Sequence, residues 1–228
     1  MQHVANKENL RKFTDDTTVF VMNEPRGNKP LLVLDLDHTL LDFSTKTIQT
    51  GGSVDSLKRP FMDQFLCNAY QHYDLVVWSQ TSWRWLETKL IELGMLTHPG
   101  YKFCFVLDKT CMFSIISTKR DGSSFEHHVK PLQIIWSKFP RWGPHNTIHL
   151  DDLSRNFALN VASGLKVTAY FRKKSTSRRD AELVGIGKYL EILARANVNF
   201  DEVDFNQWMD VVSGKAALTS SASKGDTK

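Results

Sequence analysis

The chain is poor in cysteine and has no long apolar run, and both shortages narrow what it can be. Its three cysteines, Cys67, Cys104 and Cys111, form an odd set without CxxC spacing, so neither a disulfide framework nor a zinc knuckle is indicated. A cysteine phosphatase needs a Cys, five residues, then Arg, but those downstream positions hold Tyr73, Thr110 and Ser117. That class is excluded. No apolar stretch approaches the ~18–20 residues that span a bilayer, so no membrane partner is expected. The polar start Met1-Gln2-His3-Val4-Ala5-Asn6-Lys7 lacks a secretory h-region, so the protein is not expected to be secreted. Charge of one sign is not in large excess either. A net charge of +4 gives only weak steering toward acidic or phosphorylated partners.

What is present suits a folded globule: 41% of the 228 residues are apolar and six are tryptophan. Residues 1–30 read as a polar arm that ends in the turn-forming Glu24-Pro25-Arg26-Gly27-Asn28. Leu31-Leu32-Val33-Leu34 is a continuous apolar run ending in acidic residues, as expected of a strand buried on both faces of a parallel sheet. A helix with Phe61, Phe65, Leu66 and Ala69 at helical spacing follows, then the strand Asp74-Leu75-Val76-Val77-Trp78. Ser82 can cap a further helix carrying Leu86, Leu90 and Leu93, with Gly94 where it should stop. Residues 101–107 read as a strand, and 112–129, broken at 119–123, as a β-hairpin. Strands over 147–150 and 165–170 and a helix over 178–196 complete the alternation, and the Ser/Ala/Lys-rich tail 215–228 is expected to be disordered. The fold class predicted for 31–214 is α/β: a Rossmann-like, doubly wound parallel sheet with a small β-hairpin insertion and no large cap domain.

In such a sheet, ligands sit outside the carboxyl ends of the strands, where the chemistry-bearing residues of this sequence fall. Asp35 and Asp37 follow the first strand within Asp35-Leu36-Asp37-His38-Thr39. One carboxylate can attack phosphorus, and the other can give a proton to the leaving oxygen. A second acidic pair, Asp151 and Asp152, ends a later strand, so carboxylates can converge on a hard cation such as Mg2+. Lys130 precedes the helix-starting Pro131, where an anion is favoured. Ser79 ends the second strand and can offer its hydroxyl to a phosphate, helped by the amides of Gln80 and Thr81. His145, His149 and Asp151 have the look of a transition-metal set. A loop histidine and a packed strand histidine explain them better. The basic stretch 172–179 suits an acidic substrate, a nucleic acid or an import receptor.

Taken in order, the DxDxT segment, Ser79, Lys130 and Asp151-Asp152 resemble the haloacid-dehalogenase phosphatases. Leu34-Asp35-Leu36-Asp37-His38-Thr39-Leu40, Val77-Trp78-Ser79 and Val129-Lys130-Pro131-Leu132 are similar to the FCP/SCP-type phosphatases of the RNA polymerase II carboxy-terminal domain (CTD). Among those, the likeness is greatest to the members carrying a ubiquitin-like domain. The resemblance implies that Asp35 is the nucleophile and a metal ligand, and that Asp37 is the acid/base and lends its carbonyl to Mg2+. It also implies that Ser79 and Lys130 hold phosphate. Asp152 is favoured over Asp151 as the direct metal ligand, although two adjacent carboxylates leave that choice open.

The implied activity is magnesium-dependent dephosphorylation of phosphoserine or phosphothreonine through an aspartyl-phosphate. The implied partners are CTD-like peptides or proteasome subunits, and the implied location is nuclear with the cytoplasm second. Only about 40 residues separate Asp37 from Ser79 and about 50 separate Ser79 from Lys130. An uncapped site with room for a protein substrate is therefore expected. Two departures stand out: Gln80 replaces a usually small residue, and the arm before Pro30 is too short for a ubiquitin-like domain. Proteasome docking is accordingly not expected. A non-catalytic phosphopeptide scaffold and a phosphatase of nucleic-acid ends are compatible with the same residues, though nucleic acid is not the expected partner.

Overall fold

Four consecutive residues, Leu31, Leu32, Val33 and Leu34, are wholly buried, because the strand they form has neighbours on both sides and helices over both faces. Their side chains alternate between two cores, as the two-residue period of a strand requires. Leu32 and Leu34 enter the larger core, and Leu31 and Val33 enter the smaller.

In the computed structural model, residues 2–118 and 121–218 are described. In chain order they form α1 (Gln2–Asp16), β1 (Leu31–Leu34), α2 (Thr45–Gln49), α3 (Met62–His72), β2 (Asp74–Trp78), α4 (Trp83–Glu92) and β3 (Phe103–Leu107). Then come β4 (Phe113–Thr118), β5 (Ser124–Val129), α5 (Gln133–Lys138), β6 (Thr147–Asp151), β7 (Gly164–Lys166), α6 (Glu182–Ala196) and α7 (Trp208–Val212). Five strands make a parallel sheet in the order β3-β2-β1-β6-β7, and β4-β5 is a separate antiparallel hairpin. The predicted α/β class, parallel sheet and hairpin are thus present. Residues 119–120 of the hairpin tip and 219–228 of the tail lie outside the described residues.

The helices fit the sheet by their apolar stripes. Met62, Leu66 and Ala69 of α3 and Leu183, Ile186, Leu190 and Leu193 of α6 are buried in one core, each set spaced three or four residues apart. Gly94, at a φ of +66°, ends α4 in the left-handed conformation that glycine adopts without penalty.

Three elements differ from the sequence expectation. The strand expected over 165–170 lasts only from Gly164 to Lys166. Val167 N still bonds Asp151 O at 3.1 Å, but Tyr170 N turns to His38 O at 2.7 Å. The helix expected from Arg178 starts at Glu182, because the carboxylates of Asp180 and Glu182 turn to Arg59. Within the polar arm, α1 sets Leu10 and Phe13 against the smaller core, with Phe13 5.3 Å from Phe113. Downstream of it, Met22 and Asn23 bond the backbone of Cys104 and cover the edge of β3, which leaves that edge less open to stray pairing.

Candidate active site

Strand order reverses at β1. Its successors β2 and β3 lie on one side and β6 and β7 on the other, which leaves a crevice at the carboxyl end of β1 and β6. Leu34 pairs with Val77 and with Leu150, so Asp35, Ser79 and Asp151 leave the sheet at the same edge. Asp35 extends the ladder by one bond, its amide donating to Leu150 O at 3.0 Å.

Beyond Asp35 the chain folds back sharply. Leu36 O accepts from the amides of Thr39, Leu40 and Leu41 at 3.2, 2.9 and 3.1 Å. His38 takes a φ of +64°, a left-handed conformation that histidine tolerates better than most side chains. Its ring is fixed between Tyr170 O, 3.0 Å from Nδ1, and the Phe171 ring at 4.4 Å. The turn returns the wholly buried Thr39 to the strand end, where its Oγ1 donates to Asp35 Oδ2 at 3.0 Å and accepts from Asp152 N at 3.1 Å. One hydroxyl therefore ties the ends of β1 and β6 together.

Lys130 stands between the two acidic strands, wholly buried, with its Nζ 2.6 Å from Asp35 Oδ1 and 2.7 Å from Asp151 Oδ2. Burial disfavours its charge, but Asp151 and Asp35 more than offset this and hold its pKa above the usual lysine value. The two carboxylates fare differently. Burial pushes Asp35 up to about 7 despite Lys130, with Asp151 and Asp37 adding repulsion. Asp151 is held below the usual range, because the Lys130 ammonium beside it outweighs its burial.

Asp151 is also saturated by the protein. Its Oδ1 accepts from Leu153 N at 2.8 Å, and Asn156 Nδ2 lies 3.0 and 2.9 Å from its two oxygens. Asp152 makes a single long side-chain contact, 3.5 Å from Thr39 Oγ1, and burial raises its pKa. His149 is deeply buried, and burial holds its pKa down, so the ring is neutral. Its Nε2 is 3.4 Å from Asp151 Oδ2, beyond a good hydrogen bond. His145 belongs to the turn Pro144–Asn146 before β6, while His149 lies within the strand.

Carboxylate oxygens of Asp35, Asp151 and Asp152 all lie within 4.8 Å of one another. The donors are hard oxygens, and only two of the three carboxylates are paired to the buried Lys130 ammonium, so the cluster fits a hard divalent cation better than a soft one. Ser79 is wholly buried, its Oγ 3.0 Å from Thr81 Oγ1, while the Gln80 side chain is exposed.

Sequence reasoning missed two residues here. Asn156 fixes Asp151, as above. Lys89, on α4, is almost fully buried, with Nζ 2.7 Å from Asp37 Oδ1 and 2.5 Å from Oδ2. A lysine between Leu86 and Leu90 on the apolar stripe of a helix was the available signal.

These residues stand in a segment that known proteins share. A family model described as NLI interacting factor-like phosphatase matches residues 30–203. The ubiquitin-like domain-containing CTD phosphatase 1 of Xenopus laevis is 38% identical over 206 residues, covering 89% of this chain and 62% of that protein. The protein of the same name from Homo sapiens is 36% identical over 213 residues, covering 92% of this chain and 64% of its own length. The chain thus spans just under two thirds of these relatives. The structure of Fcp1, described as an essential RNA polymerase II CTD phosphatase, matches with a TM-score of 0.53 at 15% identity, covering 95% of this chain and 71% of that one. That likeness speaks for the fold alone. With its matched segment running from before β1 to the approach of α7, the chain belongs to the NLI interacting factor-like phosphatase family.

Proposed function

We propose that this chain is a magnesium-dependent protein serine/threonine phosphatase working through an aspartyl-phosphate on Asp35, with residues 31–214 as its phosphatase domain. The observation that carries this reading is the meeting of Asp35, Asp151 and Asp152, the first two paired to the buried Lys130, with Asp37 two residues from Asp35 and gripped by Lys89. The names of its relatives point to phosphorylated CTD-like segments as substrate class, and the resemblance read in the sequence adds proteasome-associated proteins second. A nuclear location, with the cytoplasm second, follows from that substrate class.

Phosphate esters hydrolyse very slowly unaided, and an alkoxide leaves poorly. Asp35 Oδ attacks phosphorus, and the bond from phosphorus to the serine oxygen breaks as Asp37 gives that oxygen a proton. Water then attacks phosphorus, Asp37 takes its proton, and the bond to Asp35 breaks to release inorganic phosphate. Thr39 holds Asp35 in line, and Lys130 presents charge to the phosphoryl oxygens. Ser79 and the amides beyond it bind those oxygens from β2. Asp35, Asp152 and the carbonyl of Asp37 would hold Mg2+, with Asp151 orienting its neighbour Asp152. The cation would supply positive charge for the phosphoryl group.

The test compares wild type with Asp35→Asn and Asp37→Asn on phosphoserine peptides, with Mg2+ and with chelator. Wild type should turn over only with the cation. Asp35→Asn should lose activity, and Asp37→Asn should fall by about a hundredfold or more. Equal rates in wild type and Asp35→Asn would overturn the nucleophile, and full activity in chelator would overturn the cation.

A further inference from the structure

The groove beside the catalytic loop belongs to none of the steps above. It is open, about 750 Å³ in volume. One wall is the turn Lys58-Arg59-Pro60-Phe61, and the other is the segment from Tyr170 to Arg178. We infer that this groove binds an anionic stretch of the substrate polypeptide, acidic or multiply phosphorylated, flanking the phosphoserine that enters the site. The inference deepens the phosphatase reading and rests on it for the identity of the chain that binds.

Three observations support it. First, the walls are bonded to the catalytic loop itself. Tyr170 N donates to His38 O at 2.7 Å, and Arg59 Nη1 donates to Thr39 O at 3.1 Å. Both walls are therefore held against the turn that follows Asp35 and Asp37.

Second, the charges are unequal. Arg59 is consumed by Asp180 and Glu182, at 2.9 and 2.6 Å, and Lys58 by Asp55 and Asp63, at 3.0 and 2.8 Å. Arg172, Lys173 and Arg178 line the other wall and make no ion pair among the described residues. The Arg172 backbone is nonetheless fixed, its amide donating to Asp42 Oδ2 at 3.1 Å. Uncompensated cations on a fixed backbone favour anions.

Third, Phe61 is 49% exposed and is held at a φ of +66°, which is costly for a bulky side chain and recurs where strain serves a site. It offers the groove an apolar face. The carboxylates of Asp55 and Asp63 on the same wall would repel a continuous phosphodiester backbone, so a peptide with localised negative charge fits better than a nucleic acid.

The test is equilibrium binding, read by fluorescence anisotropy on Asp35→Asn protein so that no probe is consumed. The probes are a phosphoserine peptide with three flanking aspartates, the same peptide with serines in their place, and a single-stranded oligonucleotide. The parent should prefer the acidic peptide about tenfold, and the preference should shrink from about 50 to about 300 mM salt. Adding Arg172→Ser, Lys173→Ser and Arg178→Ser together should remove that preference. Lys7→Ser, Arg11→Ser and Lys12→Ser on α1, matched in charge, should keep it.

Lys173→Ser alone, at an exposed side chain, should cost about twofold on the acidic peptide, however the triple variant folds. Equal affinity for the two peptides, or retained preference in the groove variants, would overturn the inference. Tighter binding of the oligonucleotide, lost in the same variants, would replace the peptide with nucleic acid. Binding is read without turnover, so a wild type that fails to hydrolyse phosphopeptides would sink the phosphatase reading and leave this result to be judged separately.

Discussion

Removing the Lys130 ammonium while keeping its apolar stem, as in Lys130→Met, should destabilise the cation-free protein by about 4 kcal/mol. Two routes reach that figure. Each of its two contacts, at 2.6 and 2.7 Å, is a hydrogen bond made by a charged ammonium and worth about 1.5–3 kcal/mol, so the pair contributes roughly 3–6 kcal/mol. Breaking a buried ion pair by deleting one partner independently costs about 3–5 kcal/mol, because the remaining charge stays buried. Both figures apply without discount for solvent, since Lys130 and Asp151 are wholly buried and Asp35 nearly so. A domain of this size loses about 2–4 °C of melting temperature per kcal/mol, so the midpoint should fall by roughly 8–16 °C. Urea unfolding followed by the intrinsic fluorescence of the six tryptophans, in chelator and in excess Mg2+, is the assay. The cation should narrow the gap between variant and wild type, because it supplies the positive charge the variant lacks. A gap below about 1 kcal/mol in chelator would refute the claim that Lys130 is what allows the acidic strand ends to stay buried together.

Proton release offers a second check. Burial pushes Asp35 up to about 7 from 3.8, so the folded, cation-free chain holds a proton that the unfolded chain gives up near pH 4. This group's contribution to stability is present below pH 4 and is lost as pH rises toward 7. A bound cation must displace that proton, so Mg2+ affinity measured by calorimetry should rise about tenfold per pH unit up to roughly pH 7 and then level off; an affinity flat from pH 5 to 7 would contradict this. Asp152→Asn should cut Mg2+ affinity by at least about tenfold with little loss of stability, whereas Asp151→Asn should unfold at lower urea; the reverse pattern would exchange their roles. Lys89→Met should lower kcat on phosphopeptide by about tenfold to a hundredfold with KM little changed, since Asp37 loses its orienting partner; unchanged kcat would make that contact structural only. Gly164→Ala should cost about 1–3 kcal/mol, because a Cβ there collides with the Phe157 ring packed against His149; a stability equal to wild type would show that the ring has room to move.

The parts of the site legible in the sequence are those fixed by local rules. A parallel strand buried on both faces must be written as an apolar run, so Leu31–Leu34 announced both β1 and the place where Asp35 leaves it. The same rule exposed Ser79 after β2, while the mixed stretch Thr147-Ile148-His149-Leu150 placed Asp151 at the end of β6. What escaped depends on residues far apart in the chain. Lys89 reads as an odd lysine on a helix until α4 brings it to Asp37, 52 positions earlier. Arg59 reads as a turn residue until Asp180 and Glu182, more than 120 positions later, close on it, and those two bonds also set where α6 begins. The polar composition of α1 hid its attachment, which among the described residues Leu10 and Phe13 carry.

The charge arrangement explains why the adjacent acids of β6 behave so differently. Asp35, Asp151 and Asp152 are all buried, and Lys130 is the one buried ammonium between them. The neutral His149 cannot balance the excess. Burying unpaired carboxylate is costly, and the protein meets that cost unevenly. Asp151 receives Lys130, Asn156 and the Leu153 amide, so its charge is settled within the fold. Asp35 and Asp152 share little more than the hydroxyl of Thr39 besides the Lys130 contact. Their charge is left to be balanced from the crevice side, and a group that must be both attacking atom and cation ligand has to remain open in that way. An extra buried donor aimed at Asp152 would stabilise the free protein and weaken its hold on a cation, so the shortage of partners at this corner is what the site requires.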